Sequence, residues 1–172
     1  MEKKRIAMLT GSFDPVTAGH MDLVRRAALL FDTVYVAVMS NGEKDKAGHG
    51  MFTPAERLAI LCAAVDSLAA EGITNVKPEI CEGLSSEYAQ KRGVGFIVRG
   101  ARTATDFDYE TGLAAIMKRF DANLETVILP ATPELSCISA TYVRELLKYG
   151  CPLGDAMPAA AAETALSFLR KK

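Results

Sequence analysis

The stretch "GSFDPVTAGH", residues 11–20, places a histidine at the end of a stiff turn near the N-terminus. Pro15 fixes one backbone angle, and Asp14 can accept hydrogen bonds from nearby amides. Gly19 lets the backbone approach a ligand closely at the start of the next helix. His20 falls in the first turn of that helix, where free amides and the helix dipole favour anions. Its imidazole can therefore donate to a phosphate oxygen, although a capping histidine explains this stretch equally well.

This turn matches neither of two common phosphate-binding patterns. No Gly-Lys-Ser/Thr follows it, so it is not a Walker loop. It also lacks the Gly-x-Gly-x-x-Gly fingerprint of dinucleotide-binding proteins.

A second polar stretch, "VRGARTATDFDYE", follows the fourth predicted strand. Arg99 and Arg102 leave the strand end close enough together to grip one polyphosphate, a task that suits guanidinium forks better than lysines. Phe107, Tyr109 and Glu110 follow in the first turns of the next helix. The interleaved aromatic and charged residues predict a packed, ordered corner, and the alternative is a solvated, charged helix start.

A third stretch, "SCISATYVRELLKYG", follows the fifth predicted strand. Ser139 is a good N-cap for the helix that begins there. Thr141, Arg144 and Lys148 share one face of that helix. Hydroxyls and free amides at a helix N-terminus, with an arginine one turn later, form a second phosphate cradle. Capping alone explains Ser139 but not Thr141 and Arg144.

The polar segment "NGEKDKAGHG", residues 41–50, is predicted to be a mobile loop after the second strand. It carries Lys44 and Lys46. Each lysine could reach a bound phosphate, and each could equally be a surface lysine that aids solubility.

The elements that carry these stretches alternate along the chain between apolar, β-branched-rich runs and helical periodicity. Strands are predicted at 5–11, 33–40, 75–80, 94–100 and 125–131, and helices at 19–31, 54–71, 85–92, 106–120, 139–149 and 159–171. The central strands are apolar on both faces, as in a parallel sheet covered by helices. We therefore predict a doubly wound, Rossmann-like α/β fold: one five-stranded parallel sheet with helices on both faces, in a single domain 1–172 that ends in a helix. Such sheets bind ligands at the carboxyl ends of their strands, where all the polar stretches fall.

The composition is that of an ordinary globular domain. The chain has 172 residues, of which 49% are hydrophobic and 24% charged, and a net charge of −1. That charge argues against a large basic face for nucleic acid or an anionic membrane.

The four cysteines form no Cys-x-x-Cys pair, and there are only two histidines. The sequence therefore predicts reduced, mostly buried thiols and no zinc site. No signal peptide or membrane-spanning run is found, so a cytoplasmic location is expected.

Together these stretches resemble the signatures of the nucleotidyltransferase superfamily. "GSFDPVTAGH" resembles Gly-[Ser/Thr]-Phe-Asp-Pro-x-[Thr/His]-x-Gly-His, and "ISATYVRE" resembles Ile-Ser-x-Thr-x-x-Arg. "RGARTATDFDYE" is similar to the Arg-Gly-x-Arg-x-x-x-Asp-Phe-x-Tyr-Glu stretch of the phosphopantetheine adenylyltransferase family. The "MFTPAER" and "CEGLSSEYAQKRG" segments fit that family as well, so the resemblance spans nearly the whole chain.

The resemblance implies transfer of AMP from ATP to 4'-phosphopantetheine, giving dephospho-coenzyme A and pyrophosphate, the penultimate step of coenzyme A biosynthesis. It implies a magnesium ion that accompanies ATP without a protein carboxylate cage, coenzyme A as a feedback ligand, and a homohexamer. His20 and Lys44 would be catalytic, and Ser12, Lys44, Ser85 and Arg99 would contact the phosphopantetheine substrate. The ATP site would comprise Ser12, Phe13, His20, Gly100, Ala101, Arg102, Glu110, Leu135, Ser136, Cys137, Ile138, Ser139, Ala140 and Thr141.

The chain departs from the family pattern at several positions. Leu9 and Thr10 replace Tyr-Pro, Ala101 replaces Leu, and Met117 stands where the family has Asn near the nucleotide. The lysine loop is longer than usual, which leaves Lys46 as a rival to Lys44.

Two other functions compete with this assignment. One is a different nucleotidyltransferase, acting on nicotinamide mononucleotide or, with CTP, on a polyol phosphate. The other is a non-catalytic sensor of ATP or coenzyme A.

Overall fold

The structure, a computed structural model, describes residues 4–40, 42 and 50–171. Its strands are β1 (Ile6–Gly11), β2 (Thr33–Ser40), β3 (Val76–Glu82), β4 (Phe96–Ala101) and β5 (Glu125–Pro130). Its longer helices are α1 (Ala18–Leu30), α2 (Pro54–Asp66), α3 (Ser85–Arg92), α4 (Ala104–Phe120), α5 (Ala140–Lys148) and α6 (Ala159–Leu169). Short 3-10 segments, Ser67–Glu71 and Pro133–Leu135, follow α2 and precede α5. The element order is the predicted one, and the helix predicted over 54–71 divides into α2 and a 3-10 turn.

The five strands form one parallel sheet in the order β3-β2-β1-β4-β5. The predicted Rossmann-like fold is therefore confirmed. The chain builds outward from β1 through β2 to β3, then returns to place β4 on the other side of β1. Connections leave β1 and β4 in opposite directions, and this reversal of strand order is where open α/β sheets bind ligands.

The β1–β4 ladder is short, and this opens the sheet at its carboxyl edge. Within the described residues, β1 and β4 pair only at Ala7 with Phe96 and Met8 with Ile97, whereas β1 and β2 pair along six positions. Beyond Met8 the two strands no longer pair, so their last residues border a crevice.

Both faces of the central strands are buried, as a parallel sheet requires. Val34, Val36 and Val38 of β2 face one core, which α1, α2, α5 and α6 cover. Tyr35 and Ala37 of the same strand face the other core, which α3 and α4 cover. The valines are fully buried. The sheet is thus a rigid support for the loops at its carboxyl edge.

The cysteines are all free, as expected, but their predicted burial is only partly correct. Cys81 is buried in β3 and Cys62 is partly buried in α2, whereas Cys137 and Cys151 are exposed. The two exposed cysteines lie outside the helices and strands, in the segments that flank α5, where no second layer covers them.

None of the helices in the described ranges combines the length and apolarity that a membrane span requires.

Candidate active site

A cavity of about 310 Å³ lies at the carboxyl ends of β1 and β4, between the N-terminal turns of α1 and α5. It is the crevice that the reversal of strand order predicts. The predicted site residues that line it are Phe13, His20, Arg99, Gly100, Arg102, Glu110, Leu135, Ile138, Ser139 and Ala140. Three stretches that are far apart in the sequence therefore meet at one site.

The remaining predicted residues lie elsewhere. Ser12, Ala101, Ser136, Cys137 and Thr141 are neighbours of lining residues but do not line the cavity themselves. Ser85 lines a second cavity, described below. Lys44 and its rival Lys46, in the predicted loop 41–50, lie outside the described residues, so their assignment stays a prediction.

His20 is held in one orientation by the cap of α1. Thr17 is the N-cap: its backbone N–H donates to His20 Nδ1 at 3.0 Å, and its hydroxyl accepts from the His20 backbone N–H at 3.3 Å. The Phe13 ring meets the imidazole edge-on, with ring centroids 5.1 Å apart. The two sequence interpretations of His20, a cap and a cavity donor, are therefore compatible, because the cap uses only one of the two ring nitrogens.

The His20 ring is neutral at physiological pH. Burial of the ring, and then the positive charge of Arg102, lower its pKa from 6.5 to about 4. Because Nδ1 accepts the Thr17 N–H, the ring hydrogen is on Nε2. Within the described part of the chain Nε2 has no hydrogen-bond partner. The residue thus offers one oriented, uncharged donor to an anion in the cavity.

Arg99 fills the gap where the β1–β4 ladder stops. Its Nη1 donates to the backbone oxygen of Thr10 at 3.2 Å and to the Thr10 hydroxyl at 2.9 Å. Its Nε and Nη2 donate to the two carboxylate oxygens of Glu110, at 2.5 and 3.0 Å. The Glu110 side chain is only 11% exposed, so this fork-to-fork pair is largely shielded from water. Arg99 and Glu110, predicted to serve different substrates, form one unit.

Arg102 pairs with Asp106 at the exposed rim of the cavity. The Asp106 carboxylate accepts from the backbone N–H of Arg102 at 3.0 Å and from its Nε at 3.3 Å. The backbone hydrogen bond from Arg102 is the main reason that the pKa of Asp106 is lowered.

The predicted packing around Phe107 and Tyr109 is wrong: they are 51% and 63% exposed. Both aromatic rings are thus exposed on α4 in a single chain, whereas Glu110 of the same helix is buried.

The N-terminus of α5 closes the cavity on the side of β5. Ser139 caps this helix, as predicted, accepting from the backbone N–H of Tyr142 at 3.1 Å. Arg144 makes different contacts from those of a phosphate cradle. Its Nη1 donates to the backbone oxygen of Asp14 at 2.7 Å, and its Nη2 donates to the Thr141 hydroxyl at 2.9 Å. Arg144 therefore ties α5 to the turn that follows β1.

A second cavity, of about 170 Å³, adjoins the first. Both cavities are lined by Thr10, Arg99 and Glu110, which stand between them. The far side of the second cavity includes Ser85 and Met117, whose Oγ and Sδ atoms are 3.9 Å apart. Met117 does not line the first cavity, so its departure from the family pattern concerns this second space.

One face of α1 also lines the first cavity, and the sequence interpretation missed most of it. Asp22, Leu23 and Arg26 lie there with Gly19. Asp22 accepts from the Thr132 hydroxyl at 2.8 Å, and Arg26 Nη1 donates to the backbone oxygen of Pro130 at 2.7 Å. Positions 19, 22, 23 and 26 have the i, i+3, i+4, i+7 spacing of a single helix face. That spacing, continued from Gly19, was the signal that could have identified them.

The described residues contain no group of three or more His, Cys, Asp or Glu side chains arranged to hold a metal ion. The donors at the cavity are amides, an imidazole and guanidinium groups, which suit phosphate oxygens rather than a cation.

Comparisons with known proteins agree with this arrangement. Many solved structures are similar to this chain, and two of them are compared in detail. One is a Vibrio parahaemolyticus protein assigned as a nicotinate-nucleotide adenylyltransferase, with a TM-score of 0.67 and 16% identity over 96% of this chain and 93% of that one. The other is a lipopolysaccharide core biosynthesis protein from Thermoplasma volcanium GSS1, with a TM-score of 0.51 and 19% identity over 76% of this chain and 98% of that one.

These identities are low, so the two structures support the fold alone. The sequence supports more than the fold. The pattern of the family described as cytidylyltransferase-like matches residues 8–146, from within β1 to within α5, which is most of the chain. Both phosphate-compatible stretches, the first turn and the N-terminus of α5, fall inside that match. The chain therefore belongs to the cytidylyltransferase-like family of nucleotidyltransferases.

Proposed function

We propose that this protein transfers AMP from ATP to 4'-phosphopantetheine, giving dephospho-coenzyme A and pyrophosphate. The observation that carries the proposal is a pair of adjoining cavities with Arg99 between them. A transferase of this kind needs one space for the nucleotide, one for the acceptor, and a cation where the two phosphates meet.

The first cavity has the features of a nucleoside triphosphate site. The N-termini of α1 and α5 border it with their positive dipole ends, and the first-turn amides that the caps and Ala156 do not occupy, those of Gly19, Ala140 and Thr141, are left for an anion. His20 Nε2–H and the Arg102 guanidinium add a neutral and a charged donor. These groups suit a chain of phosphates that runs between the two helices.

The second cavity suits the uncharged arm of a phosphorylated acceptor. Ile97, Leu113 and Ala114 give it an apolar wall, while Ser85 and Thr126 add hydroxyls. A pantetheine arm consists of methylene and amide groups, which can contact the apolar wall and the hydroxyls respectively. With its phosphate at Arg99 and its arm beyond, such an acceptor would present a phosphate oxygen to the nucleotide.

The reaction requires placement rather than a side-chain nucleophile. An acceptor phosphate oxygen attacks the α-phosphorus of ATP, the bond to the α–β bridging oxygen breaks, and pyrophosphate leaves with that electron pair. The acceptor is already an anion at neutral pH, so no base has to activate it. Orientation of the two reactants can supply about 7–11 kcal/mol of such a barrier. Fixed donors such as His20 Nε2–H then stabilise the charge that develops at the α-phosphate.

A magnesium ion fits this proposal as part of the nucleotide substrate. When bound, it would offset the phosphate charge from a shell of phosphate oxygens and water. Among the described residues, no cluster of carboxylates forms a separate cage for it.

Release of pyrophosphate, measured with ATP, magnesium and a panel of acceptors, tests the proposal. The panel contains 4'-phosphopantetheine, nicotinate mononucleotide, nicotinamide mononucleotide and glycerol 3-phosphate, each tested with ATP and with CTP. We expect turnover with ATP and 4'-phosphopantetheine, and mass spectrometry should identify dephospho-coenzyme A as the product.

Two results would overturn the proposal. Turnover with a mononucleotide or a polyol phosphate, and none with 4'-phosphopantetheine, would assign a different acceptor to the same chemistry. Tight binding of ATP without any product over hours would indicate a sensor rather than an enzyme.

A further inference from the structure

The turn after β1 has a strained backbone, which raises the question of what holds it. Phe13 has a φ of +45°, in the left-handed region that residues with a side chain rarely adopt. The residue is 3% exposed, and its ring contacts the ring of His20. Strain of this kind persists only where the surroundings over-determine the conformation, and it is common at functional sites.

Arg57 of α2 holds the residue before Phe13. Its side chain is buried, with the residue only 4% exposed, and Nη1 donates to the backbone oxygen of Ser12 at 3.0 Å. The same nitrogen donates to the backbone oxygen of Met39 at 3.2 Å. One guanidinium nitrogen therefore joins the turn after β1 to the end of β2.

Asp14, the residue after Phe13, joins the same turn to the start of α2. Its two carboxylate oxygens accept from the backbone N–H groups of Met51 and Phe52, each at 2.9 Å. The approach is close, because a Cβ added at Gly50 would lie 3.1 Å from Asp14 Oδ2. Asp14 is 7% exposed, so these bonds are shielded from water.

The two side chains act on opposite sides of the strained residue. Arg57 fixes the turn against Met39, and Asp14 fixes it against Met51 and Phe52. In the sequence these partners flank the segment 41–49 on either side.

We propose that Arg57 and Asp14 are positioning residues that hold the turn 12–14, and with it the Phe13–His20 contact, in the geometry needed for group transfer. The proposal rests on the transferase function proposed above. Neither residue lines either cavity, so both act through the turn and not on the substrate.

Arg57→Met and Asp14→Asn test this proposal with little change in side-chain volume. Arg57→Met removes the donors, and Asp14→Asn replaces one acceptor oxygen with an NH2 group that faces a backbone N–H. Arg25→Met is the matched control: Arg25 also donates two hydrogen bonds, to Glu71, but lies outside both cavities. If Arg57→Met does not fold, Arg57→Lys replaces it, because lysine keeps the positive charge but has a shorter side chain without the guanidinium fork.

We expect kcat for pyrophosphate release to fall about 10- to 100-fold in both test variants, since small misplacements at a reacting centre have effects of this size. The ATP dissociation constant, measured by calorimetry without acceptor, should stay within about threefold, because neither substituted residue lines the first cavity and a small shift of His20 weakens stabilisation of the transition state more than binding of ATP. The control should keep the kcat of the native protein. The proposal is overturned if a folded test variant keeps its kcat within about twofold of the native value. It is also overturned if the loss of activity in a test variant is no larger than the fraction of its molecules that is unfolded.

Amide hydrogen exchange gives a readout that does not depend on activity. The Met51 and Phe52 amides bond to Asp14 and not to Arg57, so in Arg57→Met they report whether the turn itself has moved. We expect their exchange to become at least about tenfold faster in that variant and to stay unchanged in Arg25→Met. Unchanged exchange would show that Arg57 does not hold the turn. If the native protein released no pyrophosphate with any acceptor, the proposed function would fail while this measurement still decided the role of Arg57 in the turn.

Discussion

The lowered pKa of His20 predicts a loss of stability in mild acid that removal of the imidazole abolishes. In the folded protein the pKa is lowered from 6.5 to about 4, mainly by burial. As the pH falls below 6.5, the unfolded chain takes up a proton that the folded protein refuses, so acid favours unfolding. The loss begins near pH 6.5, grows as the pH falls toward 4, and is absent at higher pH. At about pH 5 the two pKa values give a loss of about 2 kcal/mol in the free energy of unfolding.

His20→Asn isolates this effect. The asparagine Oδ1 can occupy the position of Nδ1 and accept the Thr17 N–H, so the helix cap is kept while the titrating group is removed. Urea unfolding of both proteins at a series of pH values from about 8 to 5 gives the difference between them, in which all other titrating groups cancel. We expect the native protein to lose about 2 kcal/mol relative to the variant across this range.

A constant difference between the two proteins, within about 0.5 kcal/mol over the whole series, would contradict this prediction. It would mean that His20 takes up a proton as readily in the folded protein as in the unfolded chain. Titration of the ring resonances by NMR provides an independent check, since the folded ring should stay neutral at about pH 5.5.

Four further predictions follow from the site. His20→Asn should lower kcat for pyrophosphate release about 10²- to 10³-fold, because it removes the Nε2–H donor, whereas His20→Gln, which returns an N–H near that position, should lose less. Glu110→Gln should lower the free energy of unfolding by about 1.5–3 kcal/mol in urea titrations, because the shielded Arg99 guanidinium loses its charged partner. Met117→Asn should lower the KM for 4'-phosphopantetheine about 2- to 10-fold by adding an amide to the second cavity, and an equal change in the KM for ATP would contradict that placement. We also propose that the chain forms the expected homohexamer: light scattering should give about six times 18.5 kDa, and Phe120→Lys, on the exposed apolar side of α4, should give smaller species.

The fold could be predicted because its signals are local and repeated. Runs such as "TVYVAVMS" are apolar at six consecutive positions, 34–39, as in a strand buried on both faces, and the helices between them show a different period. The carboxyl edge of the sheet then follows from strand direction alone. For that reason His20, Arg102 and Ser139, each in the segment or helix start that follows a strand, could be assigned to one site although they are far apart in the sequence.

The pairing of side chains within the site could not be predicted in the same way. Arg99 pairs with Glu110 only because β1 and β4 separate and α4 turns that carboxylate inward. Arg144 reaches the backbone of Asp14 because α5 crosses the first turn, and no sequence pattern records that crossing. Arg57 lies in an ordinary amphipathic helix pattern, and only the tertiary structure shows that it contacts the turn.

The charged groups at the cavity differ from His20 in one important respect. Arg99 and Arg102 each already have a carboxylate partner on α4, so a phosphate that binds them must share or displace Glu110 or Asp106. The Nε2–H of His20 and the free amides at the two helix N-termini are uncharged and need no counter-ion before the substrate arrives. They also keep their orientation, because Thr17 and Ser139 cap the helices that carry them. Stabilisation of charge that appears only in the transition state depends on donors that are already in place and need not reorganise. For this reason loss of the uncharged His20 donor should reduce turnover more than loss of the paired, exposed charge of Arg102.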